Sequence, residues 1–248
     1  MSIAQEDLKR IERVAVRAWP ALETASLEGW LWRYSGGGSQ RANSVSPLAY
    51  SGDDVEASIS QAERRYQERG AAAMFQICDV AAPPGLDQRL EQRGYRLQEP
   101  CRCLAKELTL TAAMPSDVEI AERADQDWLQ VYCAGITPSR RQAAPAILAR
   151  VPAPRAFLLL RRAKTPISVA LAVAGEGVVI AECVATASAY RRQGASERIM
   201  GALEAWGAGL GARIAALQAV TANAPAQALY AKLAYRPVGG YHYRVRDQ

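Results

Sequence analysis

VVIAECVATASAYRRQGASERIMGALEAWGAGL, residues 178–210, decides the fold. It opens as a near-continuous apolar run interrupted only by Glu182, too apolar for a strand with one wet face, and so reads as a central strand covered on both sides. Beyond a turn, Ile199, Leu203, Trp206 and Leu210 recur at three- and four-residue spacing, which predicts one apolar helix face folding back onto that strand.

The connection between them, Arg191, Arg192, Gln193, Gly194, Ala195 and Ser196, joins the C-terminal end of a strand to the N-terminal end of a helix. Main-chain N–H groups of a first helical turn have no partner inside the helix, and the peptide dipoles leave partial positive charge there. Gly194 has no Cβ to hold a phosphate off the backbone, Ala195 and Ser196 are small, and two arginines add full charge. A pyrophosphate is the ligand expected. Working outward, AFLLLRR, ISVALAVA and VVIAECVAT are separated by turns short enough to require antiparallel neighbours, whereas IAALQAVTAN returns after the helix as a parallel strand.

At residues 191–196 the chain resembles the GCN5-related N-acetyltransferases (GNAT), whose loop follows Arg/Gln-x-x-Gly-x-Gly/Ala; Arg191, Gly194 and Ser196 occupy the patterned positions, Ser196 as a departure that is nearly as small. A second segment, NAPAQALYAKLAY at 223–235, is similar to the family's Asn-x-x-Ala-x-x-Leu-Tyr-x-Lys-x-Gly-Phe ending and matches at Asn223, Ala226, Leu229, Tyr230 and Lys232, with Ala234-Tyr235 in place of Gly-Phe. The resemblance spans roughly residue 117 to the C-terminus. It implies acetyl-CoA as co-substrate and a sheet splayed at its parallel pair. The pantetheine arm would then lie against the backbone of Val184, Ala185 and Thr186, close to Asn223, and the motif match adds Lys232 to the coenzyme-binding residues.

The resemblance also places Tyr230 as the proton donor to the departing thiolate; the alternative is an aromatic packed on the inner helix face. Glu182 is the candidate base, on the same strand parity as Val184 and Thr186, with a pKa raised by an apolar strand. Its alternative is a structural partner for Arg161 or Arg162. His242 reads as an ordinary strand residue, and Arg244 and Arg246 as a solvated edge.

Composition bounds the alternatives. The sequence has 248 residues, half of them hydrophobic, enough for one large domain or two small ones. No apolar block resembles a targeting or membrane-spanning segment, so the expected protein is cytoplasmic with no membrane partner. With one histidine and five cysteines lacking paired ligand spacing, no metal site is expected. A formal net charge of +5 suits an anionic coenzyme and also nucleic acid, but the arginines are interspersed with glutamates, as in QAERRYQERG, which disfavours nucleic acid.

The N-terminal half predicts a helix over 5–19, extended segments around Trp30–Tyr34 and ANSVSPLAY, a helix over 53–68, a strand MFQICDV, a short helix over 86–93 and a strand over 95–108. Shifted by 140 positions it aligns with the C-terminal half without a gap: Tyr50 falls under Tyr190, MFQICDV under IAALQAV, and Tyr95 under Tyr235. Under Arg191, Gly194 and Ser196 lie Ser51, Asp54 and Glu56, and under Tyr230 lies Leu90. Carboxylates at a helix N-terminus repel a phosphate, so this copy should bind no coenzyme. Arg41, Asn43 and Ser44 either face an acceptor or serve local hydrogen bonding.

The expected fold class is therefore α/β with a mixed sheet, as two GNAT-like acyl-CoA acyltransferase folds in tandem: a degenerate one over 1–110 and a coenzyme-binding one over 117–248. The expected function is transfer of an acetyl group from acetyl-CoA to the primary amine of a small-molecule acceptor, and a homodimer is compatible with it. A non-catalytic acyl-CoA binder and a basic RNA- or ribosome-associated module are the competing readings.

Overall fold

The structure is a computed structural model that describes residues 3–109 and 114–247, so part of the expected linker lies outside the described residues. In chain order the elements are α1 (Gln5–Ala18), β1 (Glu23–Leu27), β2 (Trp30–Tyr34), α2 (Val55–Gln67), β3 (Ala73–Cys78), α3 (Leu86–Gln92), β4 (Arg96–Glu107), β5 (Val118–Ala121), α4 (Gln126–Ala134), α5 (Pro138–Leu148), β6 (Arg155–Arg162), β7 (Thr165–Gly175), β8 (Val178–Thr186), α6 (Ala195–Gly209), β9 (Ile214–Val220), α7 (Ala224–Lys232) and β10 (Arg236–Arg246). Local chemistry sets several of the boundaries. Asp125 caps α4, Asn223 caps α7, and Thr137 caps α5 just ahead of Pro138, each through a side-chain oxygen accepting a first-turn N–H.

Eight strands form one mixed sheet in the order β3-β10-β4-β9-β8-β7-β6-β5, with β8 and β9 its parallel pair. Side-chain alternation along β6, β7 and β8 makes both faces apolar. Leu159, Leu171, Val173 and Ile180 pack with α1, α4 and α5, while Leu158, Ala172, Val179 and Ala181 pack with α6 and α7. On α6, Ile199 and Leu203 are fully buried as the periodicity predicts. Leu210 instead follows the helix as its C-cap and is 53% exposed, because the helix ends before the next inward turn.

Gly207 lets α6 approach β8. A Cβ there would stand 2.5 Å from Cγ1 and 2.6 Å from Cβ of Val179. Gly207→Ala is expected to lower stability by about 1–3 kcal/mol through overpacking, despite alanine's better helix propensity. Gly201→Ala, whose new Cβ meets nothing within 4 Å, should be neutral or stabilising. Thermal unfolding of the two variants side by side checks this; equal melting temperatures would remove the packing argument.

The halves do not lie side by side as two sheets. β4 from the front half is hydrogen-bonded between β9 and β10, and β10 from the back half between β3 and β4. The elements α2, β3, α3 and β4 are matched 140 positions later by α6, β9, α7 and β10, to within a few residues at their ends. The β4–β10 pairing is self-complementary under that shift: Ala105 faces Arg236 as Val245 faces Arg96, and Leu104 faces Pro237 as Arg244 faces Leu97. Gly94 and Ala234 share a left-handed backbone, φ 83° and 66°, so the turn that ordinarily takes glycine is kept with alanine.

Two expectations for the front half change. A hairpin strand, β1, pairs with β2, and the stretch ANSVSPLAY begins in a 3₁₀ turn at Arg41–Asn43 with Val45 and Ser46 making isolated bridges. Because β10 is interior, Arg244 is not on a solvated edge. It is 5% exposed and bonded to Asp87 and Glu91, and with His242 it holds the Asp87 carboxyl down at about 2. Arg246 is exposed but paired with Glu63.

Candidate active site

β8 and β9 pair only from Val178–Ile214 to Ala181–Leu217 and then part, leaving 182–186 and 218–220 without each other. A cleft of about 680 Å³ lies along β8 beyond the parting, closed by the N-terminal ends of α6 and α7. Val184, Ala185, Thr186, Arg191, Arg192, Gly194, Ala195, Ser196, Asn223 and Lys232 all line it. The Gln193 side chain does not. It donates to the Ala189 carbonyl at 3.0 Å and accepts from Arg162 at 2.7 Å.

Gly194 is the N-cap of α6, with φ 82° and no side chain to satisfy the first turn. A Cβ built on it meets nothing within 4 Å, so the space over the uncapped turn is open. Unpaired N–H groups, helix dipole, Arg191 and Arg192 together form the donor set that a diphosphate requires. Other groups here are already engaged. Ser196 Oγ and Thr186 Oγ1 are 2.9 Å apart, tying the turn to the end of β8, and Lys232 pairs with Glu197 at 2.5 Å. Asn223 Oδ1 accepts from Ala226 N at 3.2 Å.

The matching turn in the front half is built differently. Asp54 caps α2, accepting from Ala57 N at 3.0 Å, and Glu56 pairs with Arg89 and Arg93. Leu90 is fully buried.

Neither Tyr230 nor Glu182 is among the residues lining the cleft. Tyr230 is 8% exposed, packs edge-on against Tyr235, and its hydroxyl bonds to no other described residue. Burial, with a contribution from Glu182, pushes its phenol up to about 12, so it is protonated at neutral pH.

Glu182 departs from expectation twice. Cys183 adopts φ 54°, and the β7–β8 register slips by one residue between Leu171–Glu182 and Val169–Ala185. This bulge breaks the strand parity. Val184 packs with the α6 side, while Glu182 faces Arg41 on the opposite side. Glu182 is also not a lone carboxylate: Arg41 donates to both its oxygens, at 2.5 and 2.6 Å. Its expected partners lie elsewhere, Arg161 with Glu119 and Asp127, and Arg162 with Gln193. Burial works against the charge of Arg41, but Glu182 more than offsets it and holds the guanidinium pKa well above its ordinary value. Of the other polar residues of that stretch, Asn43 serves loop hydrogen bonds and Ser44 accepts from Arg33.

The network reaches beyond Arg41 and Glu182. Arg41 also donates to Gln218 Oε1 at 3.3 Å, and Gln218 Nε2 donates to both oxygens of Glu12 at 3.0 Å. Glu12 lies on the apolar face of α1, 1% exposed, and desolvation, partly opposed by the Gln218 bond, raises its pKa to about 7. A carboxylate four residues after Leu8 and three before Ala15 was the available signal. These four side chains bridge β8, β9, α1 and the 41–43 turn at the parting of the sheet.

Residues 6–246 match the family described as probable histone acetyltransferase Rv0428c, C-terminal. The chain belongs to this family. It is 28% identical over 254 residues to the uncharacterized N-acetyltransferase YobR of Bacillus subtilis (strain 168), covering 97% of this chain and 99% of that one. Among solved structures it is similar to a GCN5-related N-acetyltransferase from Kribbella flavida, with TM-score 0.69, 18% identity, and coverage of 100% and 97%. It is also similar to a tandem GNAT protein from the clavulanic acid biosynthesis pathway, with TM-score 0.61, 11% identity, and coverage of 80% and 72%. The sheet with its splayed parallel pair is thus the GNAT fold.

Proposed function

We propose that the protein is an N-acetyltransferase that moves an acetyl group from acetyl-CoA to the primary amine of a small molecule. The uncapped turn of α6, open over Gly194 at the mouth of a splayed parallel pair, is the observation that carries this reading. Acetyl-CoA would supply the activated thioester. The first turn of α6 with Arg191 and Arg192 binds its diphosphate, and the unpaired edge of β8 at Val184–Thr186 together with Asn223 borders its arm. The front half is a degenerate second copy of the fold: Asp54 and Glu56 occupy the place where a diphosphate would bind, and its β4 completes the sheet beside β9.

Tyr230 gives a proton to the departing thiolate; its phenol carries that proton at neutral pH. Glu182, with both oxygens on Arg41, positions the parting of the sheet, and proton removal from the amine passes to water or to the acceptor's own equilibrium. Thiol release from acetyl-CoA across a panel of primary amines tests the function; coenzyme binding without turnover would make the protein an acyl-CoA binder instead. Within that assay Tyr230→Phe is expected to lower the rate by about tenfold or more at unchanged acetyl-CoA affinity. An undiminished rate would take Tyr230 out of the mechanism.

A further inference from the structure

A second cavity of about 360 Å³ adjoins the first. Gly135 lines both, and Gln218 and Val220, from the part of β9 that has left β8, form one wall. Its size is at the small end for ligand pockets. Tyr241 and Tyr243 supply apolar surface, and Arg41, Arg140 and Glu99 supply charge.

The two arginines differ. Both guanidinium groups lie over the Trp19 ring, at 5.8 Å for Arg41 and 5.6 Å for Arg140. The charge of Arg41 is met by Glu182. Arg140 forms no ion pair with any described residue, and its Nε is buried without a hydrogen-bond partner. A guanidinium held on an aromatic face beside a cavity, with its donors unspent, is built for a planar anion arriving from solution. Leaving such donors unmet is costly, and a carboxylate meets two at once. Glu99, exposed and in no ion pair with a described residue, lines the same cavity and so disfavours a ligand of net negative charge and suits one that also carries an ammonium.

We infer that this cavity is the acceptor site and that the acceptor is an amine bearing a carboxylate, an amino acid or close derivative, whose carboxylate binds Arg140. This deepens the acetyl-transfer reading and rests on it for the identity of the reaction, though not for the binding itself. The amine would then point toward the parting of β8 and β9, where the two cavities meet.

The test uses the full-length protein and Arg140→Gln, with free glycine, leucine, lysine and phenylalanine compared with their carboxamides as acceptors in thiol release from acetyl-CoA. The wild type is expected to use at least one acid with kcat/KM about tenfold or more above its amide, and Arg140→Gln to lose that preference through a fall of about tenfold or more in kcat/KM for the acid. Equal use of acid and amide by the wild type, or a preference that survives in Arg140→Gln, would overturn the assignment. Should no amine be acetylated, calorimetric binding of the same free amino acids and of their carboxamides decides separately. Binding that needs both the carboxylate and Arg140 upholds the site while the catalytic reading fails, and no difference between acid and amide removes the site as well.

Discussion

Replacing Arg41 by methionine is expected to cost about 3–5 kcal/mol of unfolding free energy, since it strands a buried carboxylate. The Arg41 and Glu182 side chains are 12% and 6% exposed, and two charge-assisted bonds join them across 141 positions of sequence. Breaking such a pair from one side leaves a desolvated charge, whereas removing both partners exchanges a costly ion pair for apolar packing. Arg41→Met with Glu182→Leu should therefore recover most of the loss. Urea unfolding of the two singles and the double closes the cycle. A loss below about 1 kcal/mol for Arg41→Met would mean that water reaches Glu182 and that the pair behaves as a surface one.

The stability of the wild type should fall as pH rises, through Glu12. Its folded pKa is raised to about 7 from an ordinary 4.5 by burial, so between these values the folded state binds more protons than the unfolded one. Stability from this group is fully present below about pH 4.5, declines through pH 7 and is level above it. The shift corresponds to roughly 3 kcal/mol, of which roughly 2–3 kcal/mol falls between pH 5 and 8. Glu12→Gln keeps an oxygen for Gln218 Nε2 to donate to and has nothing to ionise. Relative to wild type, the variant should gain that amount between pH 5 and pH 8. Parallel pH curves for the two proteins would show that Glu12 ionises normally in the fold.

Much of the site was legible because its signals are local. Gly194 between arginines, Asn223 ahead of a helix and the apolar run of β8 each depend on neighbours a few residues away, and those positions do gather around one cleft. The side of the sheet that Glu182 faces was not legible, for an equally local reason that no pattern reveals. One residue, Cys183, turns left-handed and reverses the alternation on which the assignment rested. Arg244 was misplaced because its charge suggested water, while its strand is hydrogen-bonded on both edges.

By itself the amino-acid order determined most of the helices and strands, the antiparallel run of β6–β8, the uncapped turn ahead of α6 and the 140-residue correspondence between halves, since periodicity, caps and turn residues act over a few positions. Only the tertiary structure decided that β4 and β10 exchange places between the halves, that Arg41 meets Glu182, and that Glu12 and Arg140 stand beside the parting of the sheet. Partner choice between distant strands, and the burial of a charge, depend on which surfaces finally exclude water together, and no window of sequence contains both sides of such a contact.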